Sequence, residues 1–133
     1  RVLNLFARGL LVFGLERKGV LTDKVRAGYL FPYDSYNNRI GNLKFVQDIP
    51  VEPSVQSYQE MLNIEKQLKL FSKIPILIIW GKKDFCFNLK ILEKWREIYP
   101  LAKIYEIDDA GHLVVEDAIE KIILLIKEFL GNK

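Results

Sequence analysis

The sequence has one cysteine, Cys86, and one histidine, His112. A single cysteine excludes an internal disulfide framework. With only one histidine as well, a zinc site built from several cysteine and histidine ligands is also excluded. The lone thiol favours a reducing compartment, so we expect a cytoplasmic protein. The adjacent carboxylates of Asp108 and Asp109 diverge and lack a second histidine nearby. Neither a metal nor another cofactor is therefore expected.

Long apolar runs and a strong charge are also lacking. The longest apolar stretches cover residues 9–15, 74–80 and 122–126, whereas a membrane-spanning helix needs about 20 such residues. The net charge of +3 is too small to indicate nucleic acid or a membrane surface as a partner. The start, Arg1-Val2-Leu3-Asn4, has neither an initiator Met nor the features of a signal peptide. We therefore expect a chain that begins within a longer protein.

The composition is that of an ordinary folded protein, with 50% hydrophobic and 28% charged residues in a chain of 133. This length predicts one domain or part of one. Residues 1–72 favour short helices and loops, whereas residues 73–133 favour strand, helix, strand and helix. We therefore expect an α/β protein with two distinct regions.

Three capping signals precede apolar residues at helical spacing in residues 1–72. They are Thr22 before residues 24–29, Asp34 or Ser35 before Tyr36, Ile40 and Leu43, and a Ser57–Glu60 capping box before Met61 and Leu68. An earlier apolar stretch is interrupted by Gly9 and Gly14, because glycine costs about 1 kcal/mol relative to alanine inside a helix.

The elements expected after residue 73 are two strands and two amphipathic helices. They are a strand over 74–80 that is covered on both faces, a helix over 89–99, a strand over 102–107 and a helix over 116–130 that Gly131 caps. This order predicts two parallel strands joined by a right-handed crossover. Two strands leave a sheet edge open. The remaining strands would come from the missing amino-terminal half, from self-association through that edge, or from strand exchange between copies.

Two polar residues follow the predicted strands at the same edge of the sheet. Asp84 lies in the loop after the first strand, and His112 lies in the loop after the second. Because ligands of open parallel sheets bind at the carboxyl ends of the strands, we expect these side chains to lie within hydrogen-bond reach. An aspartate beside a histidine orients the imidazole for general-base catalysis. The alternative is a surface histidine and a turn aspartate without a catalytic role.

The surrounding motifs resemble those of α/β-hydrolases. Residues 74–84, Ile-Pro-Ile-Leu-Ile-Ile-Trp-Gly-Lys-Lys-Asp, are similar to the seventh strand and acid loop of that family. Ala110-Gly111-His112 followed by Glu116-Asp117-Ala118 is similar to its histidine loop and last helix. The combination resembles the haloalkane dehalogenase-like branch. Residues 28–35, 38–40, 45–50 and 84–88 resemble the cap segment and acid loop of the β-lactone decarboxylases of long-chain olefin biosynthesis.

This resemblance implies an α/β-hydrolase fold fragment, with a helical cap segment over 1–72 and the carboxyl-terminal part of the core over 73–133. It implies Asp84 as the triad acid and His112 as the base. In this branch the nucleophile is an aspartate on a turn flanked by glycines. Neither Gly-x-Asp-x-Gly nor Gly-x-Ser-x-Gly occurs in the sequence, so the nucleophile is expected outside this chain. The chain alone is therefore expected to be inactive.

For the parent protein we expect a hydrolase of a small hydrophobic substrate, either a haloalkane or an ester-like compound. One alternative is a β-lactone decarboxylase, which is a lyase. Another is a fragment without catalysis that acts as a binding or assembly module.

Several side chains have two interpretations. Phe31 and Tyr33, together with Phe13 and Phe45, line an acyl pocket or belong to the core of the cap. The residues that flank the two loops, and are therefore pocket candidates, are Phe85, Phe87 and Leu113. Cys86 is interpreted as a small apolar filler near the pocket, and the two lysines at 82 and 83 as solvated loop charges.

Overall fold

The computed structural model describes residues 4–131. Its α-helices are α1 (Leu5–Phe13), α2 (Asp23–Leu30), α3 (Ile40–Gln47), α4 (Tyr58–Gln67), α5 (Leu89–Ile98) and α6 (Val114–Phe129), and its strands are β1 (Leu77–Gly81) and β2 (Lys103–Ile107). Short 3-10 turns lie at Phe31–Tyr33 and Leu68–Phe71. The order strand, helix, strand, helix that the sequence predicts for the second region is confirmed.

The two strands pair in parallel, with Leu77 opposite Lys103 and Gly81 opposite Ile107. β1 begins three residues later than the apolar run predicted. The N–H of Ile74 donates to the carbonyl of Phe71 at 3.1 Å, so this residue closes the preceding turn instead. The side chains of residues 76–80 are half-buried. The expectation of a strand covered on both faces is therefore not met within residues 4–131.

The main core lies between the sheet and α6. Ile107, Ala110, Ala118 and Ile122 form its buried cluster, and Ile79 and Val114 pack against it. This arrangement follows from the helical spacing of the apolar residues in α6, which turns one side of the helix toward the sheet. The sheet and α6 therefore fix the loops that carry Asp84 and His112.

The aromatic residues of the first region do not form a core. Phe31 is 79% exposed, and Phe13 and Phe45 are also mostly exposed. Phe45 makes a tilted ring contact with Phe6 at 6.1 Å between centroids. The interpretation of these side chains as buried cap core is therefore wrong for this chain, because its short helices have no sheet of their own to pack against.

The capping signals had mixed outcomes. Thr22 caps α2 as predicted, since its Oγ1 accepts a hydrogen bond from the N–H of Val25 at 3.2 Å. Ser35 instead accepts from the N–H of Asn38 at 3.1 Å and stabilises a turn, so α3 begins only at Ile40. The prediction of a helix immediately after residues 34–35 is wrong.

The predicted capping box at the start of α4 is not formed. Ser57 makes no capping hydrogen bond. Its hydroxyl donates to the carbonyl of Asp48 at 2.6 Å and closes the loop before the helix. Gly9 does not interrupt α1, which continues to Phe13.

Gly131 has the positive φ of 84° that suits the residue following a helix. Within residues 4–131, no helix combines the length and the apolar character needed to cross a membrane.

A histidine and carboxylate pair at the edge of the sheet

The loops that follow β1 and β2 lie against each other. The backbone N–H of Lys82 donates to the carbonyl of Ile107, and that of Lys83 to the carbonyl of Ala110, both at 3.0 Å. Gly81 makes this approach possible, because a Cβ atom there would lie 2.6 Å from the carbonyl oxygen of Ala110. The parallel pairing of the strands thus brings two loops, distant in sequence, into direct backbone contact.

Asp84 and His112 form a hydrogen-bonded pair between these loops. Both carboxylate oxygens of Asp84 lie 3.0 Å from Nδ1 of His112. Oδ1 also accepts the N–H groups of Cys86 and Phe87 at 2.8 Å. The side chains are largely shielded from solvent, with 9% of Asp84 and 21% of His112 exposed. The contact expected from the sequence is therefore present, whereas the catalytic roles of the two residues stay a prediction.

The pair fixes the proton arrangement of the imidazole. An ionised carboxylate only accepts hydrogen bonds, so a neutral His112 carries its proton on Nδ1, next to Asp84. The lone pair is then on Nε2, which is free to accept a proton from a reacting group. The positive charge that forms on the ring is stabilised by the adjacent carboxylate. The arrangement can therefore perform general-base chemistry.

Two aromatic rings flank the histidine. The ring centroids of Phe85 and Phe87 lie 5.7 and 5.3 Å from that of His112. Trp80 fixes the loop that carries them, because its Nε1 donates to the carbonyl of Phe87 at 2.8 Å. The two phenylalanines are 61% and 47% exposed. They present apolar surface beside the imidazole, and their role in substrate binding stays a prediction.

Cys86 and Leu113 are two further neighbours of the pair, and only the expectation for Cys86 is contradicted. Cys86 is exposed, so its interpretation as a small apolar filler near the pocket is wrong. Only its backbone contributes, through the hydrogen bond to Asp84. Leu113 is half-buried, and its N–H donates to the carbonyl of Gly14 at 2.8 Å.

Phe31 and Tyr33 are not brought to the histidine. Tyr33 lines a separate cleft of about 530 Å³ together with residues of α1, the end of α2 and the following loop. None of the lining residues belongs to the loops that carry Asp84 and His112. The 3-10 turn after α2 directs Phe31 into solvent, so neither residue lies in a common pocket with the pair.

Asp117 is the residue at this site to which the sequence gave no role. It is 1% exposed, and its carboxylate accepts hydrogen bonds from the N–H groups of Gly111, Arg17 and Glu16 at 2.8, 3.0 and 3.1 Å. The sequence feature that could have indicated such a role is the Glu116-Asp117 pair of the motif that follows the histidine. Two of the three partners of Asp117, Glu16 and Arg17, lie about one hundred residues earlier, and no sequence pattern connects that segment with Asp117.

Charged residues surround the two loops. The ion pairs are Lys82–Asp108 at 2.6 Å, Arg17–Asp109 at 3.1 Å and Lys83–Glu16 at 3.5 Å. The hydrogen bond from Lys82 lowers the pKa of Asp108 and raises the pKa of the lysine. The side chains of Lys82 and Lys83 are 40% and 55% exposed, in agreement with solvated loop charges.

A further contact joins the first region to α6. The hydroxyl of Tyr29 donates to Oε1 of Glu116 at 3.0 Å. Partial burial raises the pKa of Tyr29, and the hydrogen bond to Glu116 and its negative charge raise it further. The contact therefore ties α2 to the helix that follows the histidine loop.

Comparison with known proteins identifies the family of this chain. The family model of the alpha/beta hydrolase fold matches residues 10–119. A cis-3-alkyl-4-alkyloxetan-2-one decarboxylase of Shewanella oneidensis is 40% identical over 130 residues, which cover 98% of this chain and 41% of the relative. The protein of the same name from Xanthomonas campestris is 35% identical over 98% of this chain and 43% of the relative. Lipase 3 of a Moraxella species is 27% identical over 68% of this chain and 26% of the lipase. The chain thus spans about two fifths of the length of the two decarboxylases.

Proposed function

Because the chain belongs to the α/β-hydrolase fold family, as its motifs predicted, we propose that it supplies the histidine base and the acid of a catalytic triad in a β-lactone decarboxylase. The observation that carries this proposal is the pair of Asp84 and His112, joined at 3.0 Å between the rings of Phe85 and Phe87. The nucleophile belongs to a part of the protein outside the 133 residues.

The substrate class follows from the two relatives of higher identity. Their names specify a cis-3-alkyl-4-alkyloxetan-2-one, which is a four-membered lactone with two alkyl substituents. Loss of carbon dioxide breaks the C2–C3 bond and the bond from C4 to the ring oxygen, and a double bond forms between C3 and C4. The equation balances without water or a redox partner. Alkyl chains on both carbons suit the apolar surface that Phe85 and Phe87 present beside the histidine.

The role of each residue follows from the hydrogen bonds. Asp84 holds Nδ1 of His112 and stabilises the ring when it becomes protonated. The backbone N–H groups of Cys86 and Phe87 fix the carboxylate in turn. Nε2 of His112 exchanges the proton with the reacting group. A general base of this kind contributes about 100- to 10,000-fold to a rate.

The test is product analysis with the intact protein and a cis-3,4-dialkyl-oxetan-2-one. We expect an alkene and carbon dioxide, measured by gas chromatography. His112→Gln and Asp84→Asn should each lower kcat by about 100-fold or more. Lys83→Gln is the matched control, because this side chain lies in the same loop as Asp84 and is largely exposed, so its kcat should be unchanged.

The products also distinguish the second candidate, an ester hydrolase. The similarity to Lipase 3 of Moraxella favours it, although this match covers less of the chain than the decarboxylases do. Hydrolysis of the same lactone consumes water and gives a 3-hydroxy acid without carbon dioxide. A hydroxy acid as the sole product, or faster turnover of a carboxylic ester, would replace the decarboxylase by the hydrolase. The names of the decarboxylase and lipase relatives do not refer to haloalkanes, and the intact protein should release no halide when a haloalkane replaces the lactone in the assay.

The 133 residues alone should not turn over any of these substrates, because they lack a nucleophile elbow. They also leave residues 76–80 only half-buried and large apolar side chains of the first region exposed. We therefore propose that the amino-terminal half of the protein, or a second copy of the chain, covers these surfaces. Light scattering should show self-association of the isolated chain. A compact monomer with slow amide exchange through residues 76–78 would contradict this.

A further inference from the structure

The backbone N–H groups of both residues that flank His112 donate hydrogen bonds to acceptors outside the histidine loop. The N–H of Gly111 donates to Oδ2 of Asp117 at 2.8 Å, and the N–H of Leu113 donates to the carbonyl of Gly14 at 2.8 Å. Asp84 holds the imidazole itself. The position of the histidine is thus fixed at three points, and two of them depend on residues that do not contact the ring.

Asp117 joins the two segments that supply these bonds. Oδ1 accepts the N–H of Arg17 at 3.0 Å, and Oδ2 accepts the N–H of Glu16 at 3.1 Å in addition to that of Gly111. A buried carboxylate without such donors would be strongly unfavourable. One side chain therefore fastens the segment after α1 to the histidine loop.

The contacts around Asp117 leave the histidine loop little room to take an alternative position. Nη1 of Arg17 donates to the carbonyl of Asp117 at 2.7 Å, and Nε of the same arginine pairs with Asp109 at 3.1 Å. A Cβ atom on Gly111 would lie 2.8 Å from the carbonyl oxygen of Gly14. The backbone of the loop is in direct contact with the segment after α1 at this point.

We propose that Asp117 is a positioning residue that holds His112 in contact with Asp84. The inference rests on the proposed function, since it assigns the support of the histidine base. When Asp117 is replaced by asparagine, one oxygen becomes an NH2 group that faces a backbone N–H, so at least one of the three hydrogen bonds is lost. The loop then gains freedom, and the imidazole leaves its optimal distance from the carboxylate.

The first test reads the histidine directly. The intact protein is labelled with nitrogen-15 histidine, and the signal of His112 is assigned by its loss in His112→Gln. In the unmodified protein the Nδ1 proton should give a slowly exchanging downfield signal. Asp117→Asn should increase its exchange with water at least about 10-fold, because a small displacement weakens the hydrogen bond steeply. Asp84→Asn, the positive control, should abolish the signal.

Asp108→Asn is the matched control. It also removes one carboxylate charge close to the histidine, but Asp108 is exposed and pairs with Lys82 at the surface, outside the network of Asp117 and Arg17. The Nδ1 signal should be unchanged in this variant. Equal signals in the Asp117 variant and the unmodified protein would overturn the positioning role. If Asp84→Asn also left the signal unchanged, the proposed function itself would fail.

Activity provides an independent measurement. Asp117→Asn should lower kcat for the lactone by about 10- to 100-fold with little change in KM, because misplacement by about 1 Å costs rate rather than binding. An equal loss in kcat and in the fraction of folded protein, measured by circular dichroism, would indicate a structural role alone.

Amide hydrogen exchange covers the case in which Asp117→Asn does not fold. In the unmodified protein, the amides of Glu16, Arg17 and Gly111 should exchange slowly and at similar rates, because one carboxylate accepts all three. Fast exchange of the Gly111 amide would contradict the proposal.

Discussion

The two regions of the chain differ in how they bury apolar side chains. Residues 77–130 contain buried side chains in both helices and in β2, and these residues form a packed unit around the sheet. Residues 4–71 bury only Ala7 and Leu11 among their described apolar side chains, while large aromatic residues face solvent. The second region thus has a core of its own, whereas the first has helices with exposed apolar sides.

This difference explains why the site is well defined although its surroundings are open. Asp84 and His112 belong to loops whose backbones are joined by hydrogen bonds and supported by the core beneath them. The first region contributes to the site through the segment after α1 and through Tyr29. The remainder of its apolar surface is exposed in this chain, which spans about two fifths of the length of the two decarboxylases.

The largest effect is expected from a change in the core of the second region. Leu92 has no exposed surface, so Leu92→Ala should reduce the free energy of unfolding by about 2–5 kcal/mol. Phe13→Ala in the first region removes a larger side chain that is 69% exposed. This substitution should change the free energy of unfolding by less than about 0.5 kcal/mol. Both values come from chemical denaturation of the 133-residue chain. Similar losses would mean that the two regions share one core.

A pair of glycine substitutions sharpens the comparison. Gly81→Ala should reduce the free energy of unfolding by about 2–3 kcal/mol, because the added Cβ atom overlaps the backbone of residues 110 and 111. Gly9→Ala lies inside α1 with nothing within 4 Å of the new Cβ, so it should be neutral or stabilise by up to about 1 kcal/mol. Thermal denaturation measures both. A loss at residue 9 as large as that at residue 81 would contradict the difference between the regions.

Removal of the hydrogen bond that links the two regions should have a smaller effect on stability. Tyr29→Phe removes the hydrogen bond to Glu116 and should cost about 1 kcal/mol. Because the pKa of Tyr29 is raised in the folded chain, its contribution is fully present below about pH 10, the ordinary value, and is lost as pH rises through the raised value. Denaturation of both forms at pH 8 and pH 11 tests this. A difference that grows with pH would have the wrong sign.

The smallest effect is expected from the surface pair of Lys82 and Asp108, whose side chains are largely exposed. The lowered pKa of Asp108 means that the pair contributes above the ordinary pKa of an aspartate and loses that contribution as pH falls through the lowered value. Asp108→Asn should therefore give a slight decrease in melting temperature at pH 7 that vanishes at pH 2 and in high salt. A shift that persists in acid would exclude the ion pair as its cause.

The sequence was most informative where apolar spacing and topology act together. The short apolar run before Gly81 and the helical spacing of α6 indicated the alternation of strands and helices. Parallel strands place both following loops at one edge, so the contact of Asp84 with His112 could be expected. The family was recognisable because its motifs surround these two residues.

Local patterns were less reliable where a side chain had a choice of partners. Ser57 satisfies the carbonyl of Asp48 rather than an N–H of α4, although both offer similar hydrogen bonds. Phe31 and Tyr33 are aromatic residues of similar context, yet one faces solvent and the other lines a cleft. Burial depends on which surfaces the helices meet, and residue type alone does not specify this.

By itself, the sequence determined the strand and helix order of the second region, the shared edge of Asp84 and His112, and the absence of a nucleophile elbow from these 133 residues. Periodicity and parallel topology are properties of nearby residues, so they can be read along the chain. Only the tertiary structure decided that Asp117 binds the backbone of residues 16 and 17. That contact joins segments about one hundred residues apart, and it forms because a buried carboxylate requires donors that the folded chain alone brings within reach.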